Sequence, residues 1–221
     1  MELNTVIFDI DGLLIDSEPL WEEATKEVFE KEGLAITHEQ YVSSTGLRTK
    51  EFVDYWLRYL NAMHLNHTQI EAEIVDLVLQ KIKYKGCIMP GVPYIFDFFR
   101  NQKFKIGLAT SSPQSLIDLV IEMAGLQNTI QCTASAEHLS YGKPHPQVYL
   151  NCAAKLQSNP LQCLCFEDSF NGMIAAKAAR MKCVVVPHHH QIKSGKFGAA
   201  DMLLSSLQNF NALHLEKLNL Q

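Results

Sequence analysis

The sequence has no dense run of Lys or Arg, and its net charge is −5. Nucleic acid and acidic membrane surfaces are therefore not expected as partners. It also lacks any stretch of about 18 apolar residues, which removes a membrane-spanning helix. The N-terminal MELNTVIFDIDG has no basic region, no long apolar segment and no cleavage site, so it does not read as a signal peptide. C-x-x-C spacing is missing as well. The six cysteines (Cys87, Cys132, Cys152, Cys163, Cys165 and Cys183) lie mostly inside apolar segments. They fit reduced packing residues in a cytoplasmic protein better than a disulfide framework. Internal repeats and low-complexity segments are absent; the triplet His188–His190 is too short to count as one. What remains is 221 residues, 47% hydrophobic and 19% charged, enough for one sizeable domain or a core with a smaller module attached.

Apolar runs at Val6–Asp9, Phe104–Thr110 and Cys163–Glu167 read as strands buried on both faces, and a fourth at Cys183–Val186 ends at Pro187. A shorter strand is expected near Ile130–Thr133 and an edge strand at Met202–Leu204. Between them the apolar residues fall on helical faces: Val92, Ile95, Phe96 and Phe99; Leu116, Leu119, Val120 and Met123; Tyr149, Cys152, Ala153 and Leu156. Such alternation predicts an α/β fold with a doubly wound, mainly parallel, Rossmann-like sheet, whose sites lie at the C-terminal strand ends. One region does not alternate. From Pro19 to Tyr84 no strand pattern appears, and Phe52, Val53, Trp56, Leu57 and Leu60 make one helical stripe and Ile70, Ile74, Leu77 and Val78 another. The expected organisation is a Rossmann-like core at residues 1–16 and 86–221, with a small helical-bundle cap at 17–85.

The chemistry-bearing residues sit where those strands end. Asp9 and Asp11 are two apart on an extended chain, so they share a side. Two carboxylates that close do not both ionise unless a cation lies between them or one keeps a proton. Mg²⁺ would suit oxygen ligands of this kind; a pair of solvated turn acids, or a calcium loop, would also explain D-x-D-G. After the next strand comes IGLATSSP, in which Ser112 and Pro113 read as the cap and first residue of a helix. That leaves Thr110 unexplained, and its hydroxyl together with free N–H groups at a helix start would suit a phosphate oxygen. Lys143 lies in YGKPHPQVY, framed by Gly142, Pro144 and Pro146. A lone surface lysine usually only solubilises; the stiff frame points instead to an aimed ammonium that could neutralise a phosphoryl group. Glu167 and Asp168 close the third strand before a helix expected from Met173 to Met181, and a helix cap explains only one of the two acids. Metal site, nucleophile, hydroxyl and cation, converging on one sheet edge, make the inventory for phosphoryl transfer.

These four motifs, in this order, resemble the haloacid dehalogenase superfamily of aspartate-nucleophile phosphatases. DSEPLW, SAEHLSYGKPHPQVYLNCAAKL and EDSFNGMIAAKAARMKCVVVP look like its sugar-phosphate phosphatase branch, close to β-phosphoglucomutase. The resemblance implies an enzyme, a phosphoric monoester hydrolase, acting on sugar or sugar-alcohol phosphates of the hexose 6-phosphate type. It implies Asp9 as the nucleophile and Asp11 as proton donor and then base. Mg²⁺, with Mn²⁺ or Co²⁺ as substitutes, would be held by Asp9, the Asp11 carbonyl and Asp168, with Glu167 supporting directly or through water. Thr110, Ser111 and Lys143 would hold the phosphoryl oxygens.

From the cap, Glu18 and Arg48 are the expected substrate contacts, although a surface charge after a glycine turn would equally explain Arg48. Trp21 stands about where the related mutases carry a histidine, which favours water as the acceptor. The expected partner is a small phosphorylated sugar, bound by a monomer. The rivals are an isomerase of the β-phosphoglucomutase type and a non-enzymatic phospho-receiver; the helical insert argues against the latter, and the acids at Asp11, Glu167 and Asp168 against metal-free dehalogenation. Three consecutive histidines on a loop, His188–His190, are not expected to face one ion. Cys163, Cys165 and Trp56 read as packing residues.

Overall fold

In the computed structural model, which describes residues 2–192 and 195–220, six strands make one sheet. They are β1 (Thr5–Phe8), β2 (Lys105–Thr110), β3 (Cys132–Ser135), β4 (Cys163–Glu167), β5 (Lys182–Val185) and β6 (Met202–Leu203). All pairs are parallel, and the order is β3-β2-β1-β4-β5-β6. The chain begins at the centre and is wound outwards in both directions, so the strand order reverses beside β1. That reversal opens a crevice at the C-terminal ends of β1, β2 and β4, where doubly wound sheets bind ligands. Asp9, Thr110 and Glu167 stand at those three ends.

Alternation along the strands divides the core in two. Phe8 and Phe166 face the side covered by α5 (Val92–Asn101), α6 (Gln114–Ala124) and α9 (Ala212–Leu220), whereas Ile7 and Cys165 face α7 (Gln147–Lys155) and α8 (Phe170–Ala178). The first face is dominated by aromatic rings. Phe8 stacks on Phe166 at 5.1 Å between centroids, and Phe99 meets both Phe166 and Phe210, at 5.7 and 5.5 Å. Cys163 and Cys165 are buried packing residues, and Trp56 is core, its indole N–H donating to Ser44 Oγ at 3.0 Å.

Between β1 and α5 the chain forms four helices: α1 (Glu18–Lys31), α2 (His38–Ser43), α3 (Thr49–Tyr59) and α4 (His67–Lys85). Helices α1 and α3 both pack on α4, and Phe29, Phe52, Trp56, Ile74 and Val78 bury their shared faces. Entry and exit of this insert lie side by side. Asp16 N–H donates to Cys87 O at 2.9 Å, Met89 N–H donates to Leu14 O at 2.9 Å, and Ile15 and Ile88 form an antiparallel bridge. Among the described residues no helix is long and apolar enough to cross a membrane.

Local boundaries differ in two informative places. The helix after β2 starts at Gln114, with Pro113 extended before it, so Ser112 is not its cap; the Ser112 hydroxyl is used by Asp11 instead. Helix α8 begins at Phe170, not Met173, because Ser169 Oγ accepts the Gly172 N–H at 3.1 Å and starts the turn there.

Phe99 is fully buried among five aromatic neighbours (Phe8, Phe98, Phe104, Phe166 and Phe210). Phe99→Ala should lower unfolding stability by about 3–5 kcal/mol, read as a shifted urea midpoint at unchanged slope; a loss below about 1 kcal/mol would contradict this packing.

Candidate active site

Asp9 follows β1 directly, and its N–H donates to Phe166 O at 3.0 Å, which locks the residue to β4. Its side chain is buried, and Oδ1 lies 2.9 Å from Lys143 Nζ. This ion pair is the one contact that Oδ1 makes with a polar side chain among the described residues. Lys143 itself is completely enclosed. Its Nζ donates to Glu167 Oε1 at 2.6 Å and to Ala109 O at 3.2 Å, and it stands 5.1 Å from the centre of the Tyr149 ring. Burial alone would strip this proton, but the carboxylates of Asp9 and Glu167 outweigh it and push the ammonium well above the ordinary lysine value.

Glu167 is a saturated acceptor. Its Oε1 takes Lys143 and the Tyr149 hydroxyl, and its Oε2 takes the N–H groups of Asp168 and Ser169, at 3.2 and 3.3 Å, and Ser169 Oγ at 3.1 Å. Those donors fill the roughly four lone-pair sites a carboxylate offers. A Cβ on Gly172 would stand 1.8 Å from Glu167 Oε1, so only glycine lets α8 approach this close. Gly12 does the same for Asp168: it sits in the left-handed region at φ +70°, and a Cβ there would lie 2.2 Å from Asp168 Oδ2.

Asp9, Glu167 and Asp168 present oxygens within 4.8 Å of one another. Burial, and then the charge of Glu167, pushes Asp9 up to about 7 against the pull of Lys143. Burial, followed by the charges of Glu167, Asp9 and Glu18, holds Asp168 well above the usual carboxylate range. One ammonium does not balance these acids. A small hard dication fits: the donors are all carboxylate oxygens, they lie within 4.8 Å of one another, and like charges help to raise both Asp9 and Asp168. With its oxygens occupied, Glu167 braces the site, and Asp9 and Asp168 are the acids that could hold such an ion.

Asp11 points the other way, into the insert. Its Oδ1 accepts Ser17 Oγ at 2.7 Å and the Trp21 indole N–H at 2.8 Å, and its Oδ2 accepts Ser112 Oγ at 2.6 Å. Two donors come from the insert's entry and one from the core, so the carboxyl is fixed by both. A cavity of about 70 Å³ opens between insert and sheet edge, lined by Asp9, Asp11, Thr110, Ser111 and Asp168 below and by Glu18, Trp21, Tyr41 and Phe52 above. Thr110 Oγ1 accepts the Ser112 N–H at 3.1 Å, and Ser111 Oγ donates to Gly46 O at 3.2 Å. Glu18, weakly contacted by the Tyr41 hydroxyl at 3.5 Å, is pushed up to about 8 by burial and then by the charges of Asp11 and Asp9. It is therefore protonated at neutral pH and can donate into the cavity.

Two expectations need correction. Arg48 does not line the cavity. It is buried against the core, where Nη1 donates to the Ala136 and Leu139 carbonyls and Nη2 pairs with Glu51 at 2.7 Å. Glu51 in turn accepts the N–H of Gly142, next to Lys143, at 3.1 Å. The guanidinium is thus used to hold insert and core together. The histidines of His188–His190 do converge: a tight turn at His189–Gln191 brings their ring nitrogens within 4.8 Å of one another, exposed and outside the cavity lining. Three contributors were not found from the sequence. Ser17, Ser112 (read there only as a helix cap) and Tyr149 act through single hydroxyl groups, and hydrophobic periodicity carries no signal for where a hydroxyl points.

The haloacid dehalogenase-like hydrolase profile matches residues 6–186. Hexitol phosphatase B of Escherichia coli K12 is 39% identical over 215 residues, covering 97% of each chain. Among solved structures, CbbY from Rhodobacter sphaeroides in complex with phosphate superposes with a TM-score of 0.86 at 23% identity, over 97% of this chain and 99% of that one. β-Phosphoglucomutase from Clostridium difficile gives 0.86 at 24% identity, over 98% and 97%.

Mg²⁺ added to chelator-treated protein should raise its thermal midpoint, by the equivalent of about 2.7 kcal/mol when the ion is at 100 times Kd, and Asp168→Asn should flatten that response. A wild-type midpoint indifferent to Mg²⁺, or an undiminished shift in Asp168→Asn, would refute the metal assignment. Arg48→Ala should lower kcat/KM by about tenfold or more, since a charged hydrogen bond is worth about 1.5–3 kcal/mol. The loss should be equal for sugar phosphates and for a small aryl phosphate; a loss confined to sugar phosphates would return Arg48 to the substrate.

Proposed function

The chain belongs to the haloacid dehalogenase-like hydrolase family, and on that footing we propose that it hydrolyses small phosphomonoesters. The substrates are sugar or sugar-alcohol phosphates of the hexose 6-phosphate type, and the reaction runs with Mg²⁺ through a phosphoaspartate, in a cytoplasmic monomer. The four-helix insert serves as the cap. One observation carries this reading: Asp9, a carboxylate that lines the cavity, has a buried ammonium 2.9 Å away and stands within 4.8 Å of the oxygens of Glu167 and Asp168.

In this reading the Asp9 carboxylate attacks phosphorus and the sugar oxygen leaves. Asp11 gives that oxygen its proton, then takes one from the water that cleaves the phosphoaspartate. Ser17, Trp21 and Ser112 hold the Asp11 carboxyl in place for both steps. Thr110 and Ser111 line the cavity where the phosphoryl oxygens would sit, and Lys143, enclosed behind Asp9, would neutralise part of their charge. Mg²⁺, held by Asp9, the Asp11 carbonyl and Asp168, would supply further positive charge to the phosphoryl group. Hydroxyl and carboxyl groups of Glu18, Thr45 and Thr49, beside the rings of Trp21, Tyr41 and Phe52, give the cavity the mixed lining that a polyhydroxy compound needs. Hexitol phosphatase B, with 39% identity across nearly the whole chain, supports the substrate class.

The isomerase reading is weaker because of Trp21. Its indole N–H can only donate, and it already donates to Asp11. It therefore cannot take a proton from a second sugar hydroxyl. A phosphate-release screen across sugar and hexitol phosphates, with and without Mg²⁺, should show Mg²⁺-dependent turnover. Asp9→Asn should cut that turnover by roughly a thousandfold or more with unchanged circular dichroism. β-Glucose 1-phosphate should yield free phosphate; its conversion to a 6-phosphate would reverse the assignment, and turnover retained in Asp9→Asn would remove the nucleophile.

A further inference from the structure

The sulfurs of Cys132 and Cys152 are 3.5 Å apart, within hydrogen-bond distance, and no other cysteine pair among the described residues shares such a bond. Cys132 opens β3, the outermost strand on its side of the sheet, and is partly exposed; Cys152 is buried on α7. The space for both sulfurs is made by Gly107 of β2, which pairs in register with Cys132. A Cβ at Gly107 would come within 2.7 Å of the Cys152 sulfur and 3.2 Å of the Cys132 sulfur. The other four cysteines offer nothing comparable. Cys163, Cys165 and Cys183 are buried and Cys87 is exposed but alone.

We propose that Cys132 and Cys152 form a redox-active dithiol that closes into a reversible disulfide on exposure to hydroperoxide. Cys132 is the attacking thiol. It is the accessible one, and its hydrogen bond with Cys152 lowers its pKa below the ordinary cysteine value, with burial opposing and the ammonium of Lys155 helping. That ammonium is tethered nearby, donating to Thr133 O at 2.7 Å. The Cys132 thiolate attacks one peroxide oxygen, the O–O bond breaks, and the departing hydroxide leaves as water after taking a proton; Cys132 becomes a sulfenic acid. The Cys152 thiol then attacks the sulfenic sulfur, the S–O bond breaks, and the hydroxide departs as water with the Cys152 proton. In sum, two thiols and one hydrogen peroxide give one disulfide and two waters. The sulfurs must approach by roughly 1.5 Å to reach the disulfide bond length. The movement crosses from an edge strand to a helix, whose Tyr149, one turn earlier, braces Glu167.

The test needs no substrate. Wild-type protein is treated with a few equivalents of hydrogen peroxide, alkylated and analysed by intact mass and peptide mapping. The expected product has lost two hydrogens and alkylates at four of its six cysteines, the other two being joined (6 − 2). A Cys132–Cys152 cross-linked peptide should be found, and dithiothreitol should remove it. Cys152→Ser should instead accumulate a sulfenic acid at Cys132 that dimedone traps, and Cys132→Ser should give no cross-link. Six alkylated cysteines after peroxide would overturn the proposal, as would a cross-link elsewhere or Cys132 oxidised to the sulfinic acid beside a free Cys152. The wild-type peptide map decides the matter even if a variant fails to fold.

Discussion

One enclosed ammonium organises the catalytic edge. Lys143 reaches from the loop before α7 to lie between Asp9 and Glu167, and its charge pulls against the burial that pushes Asp9 up. Removing one partner of a buried pair typically costs about 3–5 kcal/mol, because the remaining charge is stranded. Here the stranding would be worse, since Glu167 also anchors Tyr149, Ser169 and the start of α8. The two acids divide the work: Glu167 spends all its acceptor capacity holding the lysine and the helix, while Asp9 lines the cavity. The excess of negative charge that results is what makes a hard dication welcome.

A second dependence runs through Asp11. Its oxygens are shared between Ser112 of the core and Ser17 and Trp21 of the insert. The Asp11 carboxyl keeps all three donors only when both parts of the chain are in contact. Arg48 and Glu51 reinforce that contact from the other side of the cavity, ending at the backbone of Gly142 beside Lys143. The insert thereby braces groups of the core that line the cavity.

Much of this was legible in the sequence, for a physical reason. Charged residues at the ends of apolar strands violate the burial pattern, and Asp9, Asp11, Glu167 and Asp168 announce themselves by that violation. Lys143 was visible through the Gly and Pro residues around it. Parallel strands buried on both faces gave the sheet, and loss of alternation gave the helical insert. Hidden were contacts that depend on orientation alone. Arg48 reads the same from its sequence whether its guanidinium turns to a ligand or to carbonyls of the core. Tyr149 lies on an apolar helical stripe, and nothing in that stripe says its hydroxyl ends on Glu167. Ser112 has the neighbours of a helix cap, yet Asp11 takes its hydroxyl and Pro113 leaves the helix to begin one residue later.

The insert leaves the core and rejoins it at a single point, where Asp16 and Cys87 share a hydrogen bond and Ile15 meets Ile88. Its two ends are already together, so the length of chain between them adds only slowly to the cost of closing that loop. The sheet is blind to what is spliced in, provided a few groups such as Ser17, Trp21 and Arg48 return to their stations. The insert in such an architecture is an exchangeable part, free to change length and lining while the sheet edge beneath it stays fixed.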